Sequence, residues 1–257
     1  MNLIKYCLSI MILLISMGTN PMGARLKQAI SQNQSSLKLT AGVGAISTGL
    51  SAYQFNAAKK KGLALPDASP QEQEFARKQF KAVGIKKPQT IQVKIGDQMS
   101  AFDGIVMLDR DQWRQSLLAQ KRYQDFEILK FQGGLQHEGN HVKFNHCKKG
   151  LAVYHIAEIF CNYAVIKTNK LSSLPLIFAP WAIHHVYRYY AECQADNNIQ
   201  NNPRMLRARA KQCKVFNDDF YQHQSAWDQL MDVHPHPLKR AQKCEERAKQ
   251  AESAQQN

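Results

Sequence analysis

A chain of 257 residues with 44% hydrophobic side chains has ample apolar material for one folded domain, which excludes global disorder. Its net charge of +14 favours anionic surfaces such as lipid headgroups; the basic residues are scattered and no nucleic-acid-binding motif accompanies them, so nucleic acid is not expected as a partner. Six cysteines without a CxxC pair argue against a cysteine-based zinc site; Cys213 with Cys244 is one pair that could form in an oxidising compartment, and the sequence alone leaves the pairing open.

Residues 1–18 carry the pattern of a signal peptide: Lys5 near the start, an apolar run over 6–15, and small residues at Ser16 and Gly18. The run is short of the roughly 20 apolar residues a spanning helix needs. Export to the periplasm or cell envelope is therefore expected, an inner-membrane anchor being the alternative. Residues 19–62 are polar and then Gly/Ala-rich. Within them, 37–58 reads as a helix packed on the domain or lying on a membrane surface, against a second membrane pass closed by Lys59-Lys60-Lys61. A folded domain follows over 63–246, and 247–257 is a polar tail expected to fray.

Ser69-Pro70-Gln71-Glu72 is a helix start: Ser69 caps, Pro70 takes the first helical position, and Glu72 completes a capping box. That helix should stop at Gly84. Residues 90–95 alternate and are β-branched, so they read as a strand that turns at Gly96-Asp97, and 101–108 reads as a second strand. Asp109 or Asp111 then caps a helix to about 123, and a further helix is expected over 125–148. From 151 to 190 the chain is apolar and aromatic. Pro175 and Pro180 break the charge-free run at 174–183, which favours a buried helical layer over a membrane-dipping surface. Helices opening near Trp181, at Pro203, near Asp218 and near Leu238 complete the pattern.

The helix over 125–148 contains His137-Glu138-Gly139-Asn140-His141, the HExxH pattern of zinc metallopeptidases. Residues four apart share a helix face, so both imidazoles can reach one ion while Glu138 stands beside them to act on a water. The pair Gly133-Gly134 permits close packing against a strand. A catalytic zinc takes three protein ligands and an open position. His146 is the nearest further histidine, but on a continuous helix it lies about 140° from His141 and cannot easily join the same ion. Glu158 on the following helix is possible. Glu192 in Glu192-Cys193-Gln194-Ala195-Asp196 is the better candidate, because Asp196 on the same face can hold a ligand histidine through its second nitrogen.

Three motifs in order resemble the gluzincin metallopeptidases of the HtpX and CAAX prenyl endopeptidase type: HExxH at 137–141, E-x-x-A-D at 192–196, and H-P-x-x-x-x-R at 234–240. Residues 100–106 are similar to that family's edge strand. The resemblance implies an α+β, mainly helical, zincin-like domain with a small β-sheet edge. It implies one zinc ion held by His137, His141 and Glu192, with Glu138 as general base. Asp196 and Arg240 would support the ligands, and His234, rather than His236, would help hold the developing oxyanion. Residues Ala101, Phe102, Asp103 and Gly104 would receive a polypeptide substrate by strand addition. The chain departs from the family by Gly139 and Asn140, where an aliphatic residue and then glycine are usual, and by Ser100 in place of asparagine.

The function expected on these grounds is zinc-dependent endopeptidase activity in envelope protein quality control. A zinc-binding but inactive chaperone-like protein that holds apolar clients is the alternative.

Overall fold

The computed structural model describes residues 34–121, 125–168, 178–225, 228, 229, 232 and 234–256. The leader over 1–18, the part of the proline-broken run at 174–177, and residues 226, 227, 230 and 231 of the helix expected to end near 231 lie outside them. Among the described residues the chain is mainly helical with one three-stranded sheet, the α+β class expected. Its elements are α1 (Gln34–Ala64), α2 (Pro70–Ala82), β1 (Gln92–Gly96), β2 (Ser100–Phe102), β3 (Ile105–Asp109), α3 (Arg110–Lys121), α4 (Asp125–Lys143), α5 (His146–Thr168), α6 (Ala179–Asn197), α7 (Pro203–Asp219) and α8 (Pro237–Gln256). The described residues divide into two compact units, one formed from those up to 50 with those of 155–180 and the other from those of 51–154 with those from 181 onward.

In the first unit the Ser47 hydroxyl donates to one carboxylate oxygen of Glu158, and the other oxygen lies 3.1 Å from His155 Nδ1. Glu158, the other carboxylate considered from the sequence, is thus engaged there and does not belong to the group that could hold a metal ion.

The second unit is built on the sheet. Strand order is β1-β3-β2, with β1 parallel and β2 antiparallel to β3, so β2 is an edge. The capping box forms as the sequence predicts: Ser69 accepts from the Glu72 amide and Glu72 from the Ser69 amide. That start aims α2 so that Phe80 reaches the sheet side chains Val93, Ile95, Val106 and Leu108, where it meets Phe131 and Leu135 of α4 and Trp113 of α3. Each fully buried side chain of this kind contributes about 1.5–3 kcal/mol.

Three expectations change. The single strand over 101–108 is a hairpin: Asp103 and Gly104 both take positive φ (43° and 83°), as a two-residue turn of this hand requires, and Asp-Gly is the dipeptide that accepts it. The helix over 125–148 is two helices. Asn145 adopts φ 54°, the left-handed conformation asparagine tolerates at a helix end, and the chain restarts at His146. The apolar layer is not fully buried: Ile156, Ile159 and Phe160 of α5, and Trp181, Ile183, Val186 and Tyr190 of α6, are exposed. Apolar residues there are spread around the helices rather than gathered on one stripe, so one packed face cannot cover them.

At the other end, α7 runs on to Asp219, and a 3-10 turn at Tyr221–His223 follows where a longer helix was expected to begin. The tail expected to fray is helical to Gln256. Helix α8 lies antiparallel on α7 through Leu206, Ala210, Cys213, Ala241, Cys244 and Ala248, flanked by Arg207–Glu252 and Lys214–Glu245 ion pairs. Cys213 and Cys244 are free thiols in this contact and serve as small apolar residues, not as a bridge. Burial pushes the Cys244 thiol up to about 11, far from the reactive thiolate. No helix of the described residues is long and apolar enough to cross a membrane, and α1 packs its second half on the hairpin through Phe55–Phe102 and Lys59–Asp103.

Candidate metal centre

Helix α4 carries His137 and His141 one turn apart, and α6 brings Glu192 to them. Two contacts position α6. Asn140 Nδ2 donates to the Ala195 carbonyl at 3.0 Å, and Gln136 accepts from the Gln200 amide at 2.9 Å while donating to Gln79 on α2. Asn140 is completely buried, so the bulk it adds inside the motif is spent on a helix–helix tie, not against a strand. The neighbouring departure has a steric cause. A Cβ at Gly139 would lie 2.9 Å from Phe80 Cδ1, and one at Gly134 would lie 2.8 Å from Met99 Sδ, just ahead of the edge strand. Gly134 thus allows the close approach to the sheet region that the Gly-Gly pair predicts.

Restoring an aliphatic side chain by Gly139→Leu is expected to destabilise the protein by about 3 kcal/mol, the upper end of the cost of overpacking, despite the roughly 1 kcal/mol that leaving glycine returns to the helix. In a thermal melt this is a fall of roughly 6–12 °C. An unchanged melting temperature would show that Phe80 yields freely.

His137 Nε2 lies 3.1 Å from Glu192 Oε2 and 3.1 Å from His141 Nε2, and His141 Nε2 lies 3.4 Å from Glu192 Oε1. Two ligands at 2.0–2.1 Å in tetrahedral geometry stand about 3.3 Å apart, so one nitrogen from each ring and the carboxylate fit a single ion of that size. His137, His141 and Glu192 form a group that could hold a metal ion, the set expected from the sequence.

On its far side His137 Nδ1–H donates to Asp196 Oδ1 at 2.9 Å. Arg240 grips both Asp196 oxygens at 2.7 and 2.9 Å, and Arg209 stands 3.7 Å away. Arg247 holds the Asp196 carbonyl, fixing the end of α6. Burial opposes ionisation of Asp196, but Arg240 and then His137 outweigh it and hold its carboxyl well below the usual range. Burial alone would depress His137; Asp196, Glu192 and Glu138 raise it instead to about 9. Glu192 is held far down by the two histidines against the same burial penalty. The centre is thus built to keep positive charge between its donors, and a bound cation would displace the proton that His137 otherwise takes up.

A cleft of about 580 Å³ opens over the group. Glu138 lines it beside the two histidines, half-buried, and residues 98–104 form its wall, so the edge strand and the centre share one cavity. Of the four residues expected to receive substrate, Ala101 and Phe102 belong to that edge; Asp103 and Gly104 are its turn, with Asp103 clasped by Lys59 and Lys148. His234 also lines the cleft. Its Nε2 lies 3.5 Å from Glu192 Oε2, and Asp232 holds its Nδ1 at 2.7 Å. His236 instead packs edge-on against Tyr221 and accepts from the Leu238 amide, so of the two it is His234 that lines the cleft.

The sequence reading set His146 aside, yet its ring meets His141 at 2.9 Å, Nδ1 to Nδ1. The break at Asn145 is what folds it back; the 140° separation held only for an unbroken helix. Arg209 and Gln194 likewise carry no sequence signal for a place at the centre, and Asn140, expected only as added bulk, supplies a tie to α6. Asparagine one residue before His146 was the local signal for the break, whereas Arg209 and Gln194 reach the centre only through tertiary packing.

No family model, curated protein or solved structure matches this chain. The geometry of the site therefore carries the functional reading.

Proposed function

We propose that the chain is a zinc-dependent metalloendopeptidase with a zincin-like domain. The observation that carries this reading is the convergence of His137, His141 and Glu192 within 4.8 Å of one another, at the floor of a cleft that Glu138 also lines. Two imidazoles and one carboxylate with an open side are the donor set of a catalytic zinc. When bound, zinc supplies a Lewis acid and a water acidified towards neutrality.

The chain's own groups do the rest. Asp196 fixes the His137 tautomer so that Nε2 faces the ion site, and Arg240 fixes Asp196. Glu138 takes the proton of the attacking water and returns it to the leaving amine. His234, turned to the cleft by Asp232, donates to the oxyanion, an interaction of the kind that contributes roughly 3 kcal/mol. The β2 edge aligns an extended polypeptide. The signal pattern of residues 1–18 supports an envelope location, the resemblance to the gluzincin family is what suggests a role in protein quality control there, and the charge of +14 supports contact with anionic lipid.

The exposed apolar side chains of α6 favour the second reading, an inactive zinc-binding protein that holds apolar clients. The first test is the metal content of residues 25–257 by elemental mass spectrometry, with Glu192→Ala beside it. Near one zinc per chain, sharply reduced in the variant, is expected. Folded protein without zinc would remove the basis of both readings.

A further inference from the structure

We infer that His146 is a positioning residue for His141, with Gln194 setting the tautomer of both rings. The inference rests on the metal reading above and extends it to two residues that the three motifs do not specify. His146 is buried, and its Nε2 lies 2.9 Å from Gln194 Oε1. Facing a carbonyl oxygen, that nitrogen carries the proton, and a neutral imidazole then has a bare Nδ1. The atom 2.9 Å from this bare nitrogen is His141 Nδ1. Two bare nitrogens would repel, so His141 Nδ1 is the one that donates. Its other nitrogen, Nε2, is left as a lone pair, and Nε2 is the atom facing His137 and Glu192. The orientation runs one way from Gln194 through His146 to the ligand.

The ring is held for this task. Phe144 stacks on His146 with planes 25° apart, and the Tyr187 hydroxyl reaches the His146 carbonyl at 3.4 Å. The left-handed Asn145 swings His146 back over the end of α4 instead of away from it. The two ligand histidines are thus supported differently. His137 donates to a carboxylate backed by arginine, whereas His141 donates to a neutral nitrogen backed by an amide. A carboxylate partner makes an imidazole more basic, so His141 is the weaker ligand and depends more on being held in place.

The test is zinc affinity of the full chain, by competition with a chromophoric chelator, in the wild type, His146→Leu and His146→Asn. Asparagine Oδ1 stands where histidine Nδ1 stood and can accept the same bond; leucine cannot. Affinity should fall about 10–100-fold in His146→Leu and largely return in His146→Asn. Nitrogen-15 spectra of the rings should show His141 protonated at Nδ1 in the wild type and in His146→Asn. Equal affinity in wild type and His146→Leu would overturn the inference, as would an equal loss in both variants, which would mean lost packing and not a lost acceptor. Should His146→Leu not fold, Gln194→Leu against Gln194→Glu poses the same question, with a loss expected only in the former. A wild type that binds no zinc would instead sink the metal centre itself, so the two failures are distinguishable.

Discussion

Glu138→Gln is expected to keep one zinc per chain and to lose peptide hydrolysis by at least about 10²–10⁴-fold, the range over which a positioned general base acts. The substitution is isosteric, and Glu138 takes no part in the ligand group, so the centre should assemble unchanged. Glutamine cannot accept the water's proton. A casein or quenched-peptide assay beside the metal analysis reads both properties in one preparation. Retained turnover would end the assignment of Glu138 as base. Client binding without hydrolysis, equal in wild type and variant, would favour the chaperone-like reading.

Asp196→Ala should do the greatest harm to the fold. The carboxylate is buried, accepts from His137, and is the counter-charge for Arg240 and Arg209, both of which are also well buried. Removing one partner of a buried ion pair leaves the other desolvated and uncompensated, at a cost of about 3–5 kcal/mol. Zinc affinity should fall about 10–100-fold as well, because His137 loses the bond that fixes its ring. Denaturant melts and chelator competition measure the two effects separately. A stability close to wild type would show that solvent reaches the arginines once the carboxylate is gone.

The parts of the site legible in sequence are those whose chemistry is local. The HExxH spacing places two rings on one face whatever surrounds them, and the Ser69–Glu72 box starts α2 through bonds spanning three residues. Glu192, Asp196 and Arg240 were readable because ordered motifs resemble a known arrangement. The His146 placement was not, because one residue in a left-handed conformation decides whether 125–148 is one helix or two. The hairpin at Asp103-Gly104 had a local signal that the β-branched run on its far side obscured. Gly139 and Phe80 are far apart in sequence, and nothing in either stretch alone says that the glycine exists to admit the ring. The apolar residues of α5 and α6 show the converse: hydrophobic content signals burial only when it is gathered on one face.

The brevity of the edge strand has a consequence for what the proposed enzyme can cut. Alternate residues of a strand direct their amide and carbonyl groups to opposite sides, and one side of β2 is already committed to β3. Three residues therefore offer an incoming peptide no more than about two residues' worth of main-chain pairing. So short a rail holds an incoming chain weakly and cannot enforce its register over many positions. Selection on this basis would fall to the slackness of the substrate rather than to its spelling: a segment already loosened from its own fold could be laid against the rail, while the same residues locked in a helix or sheet could not.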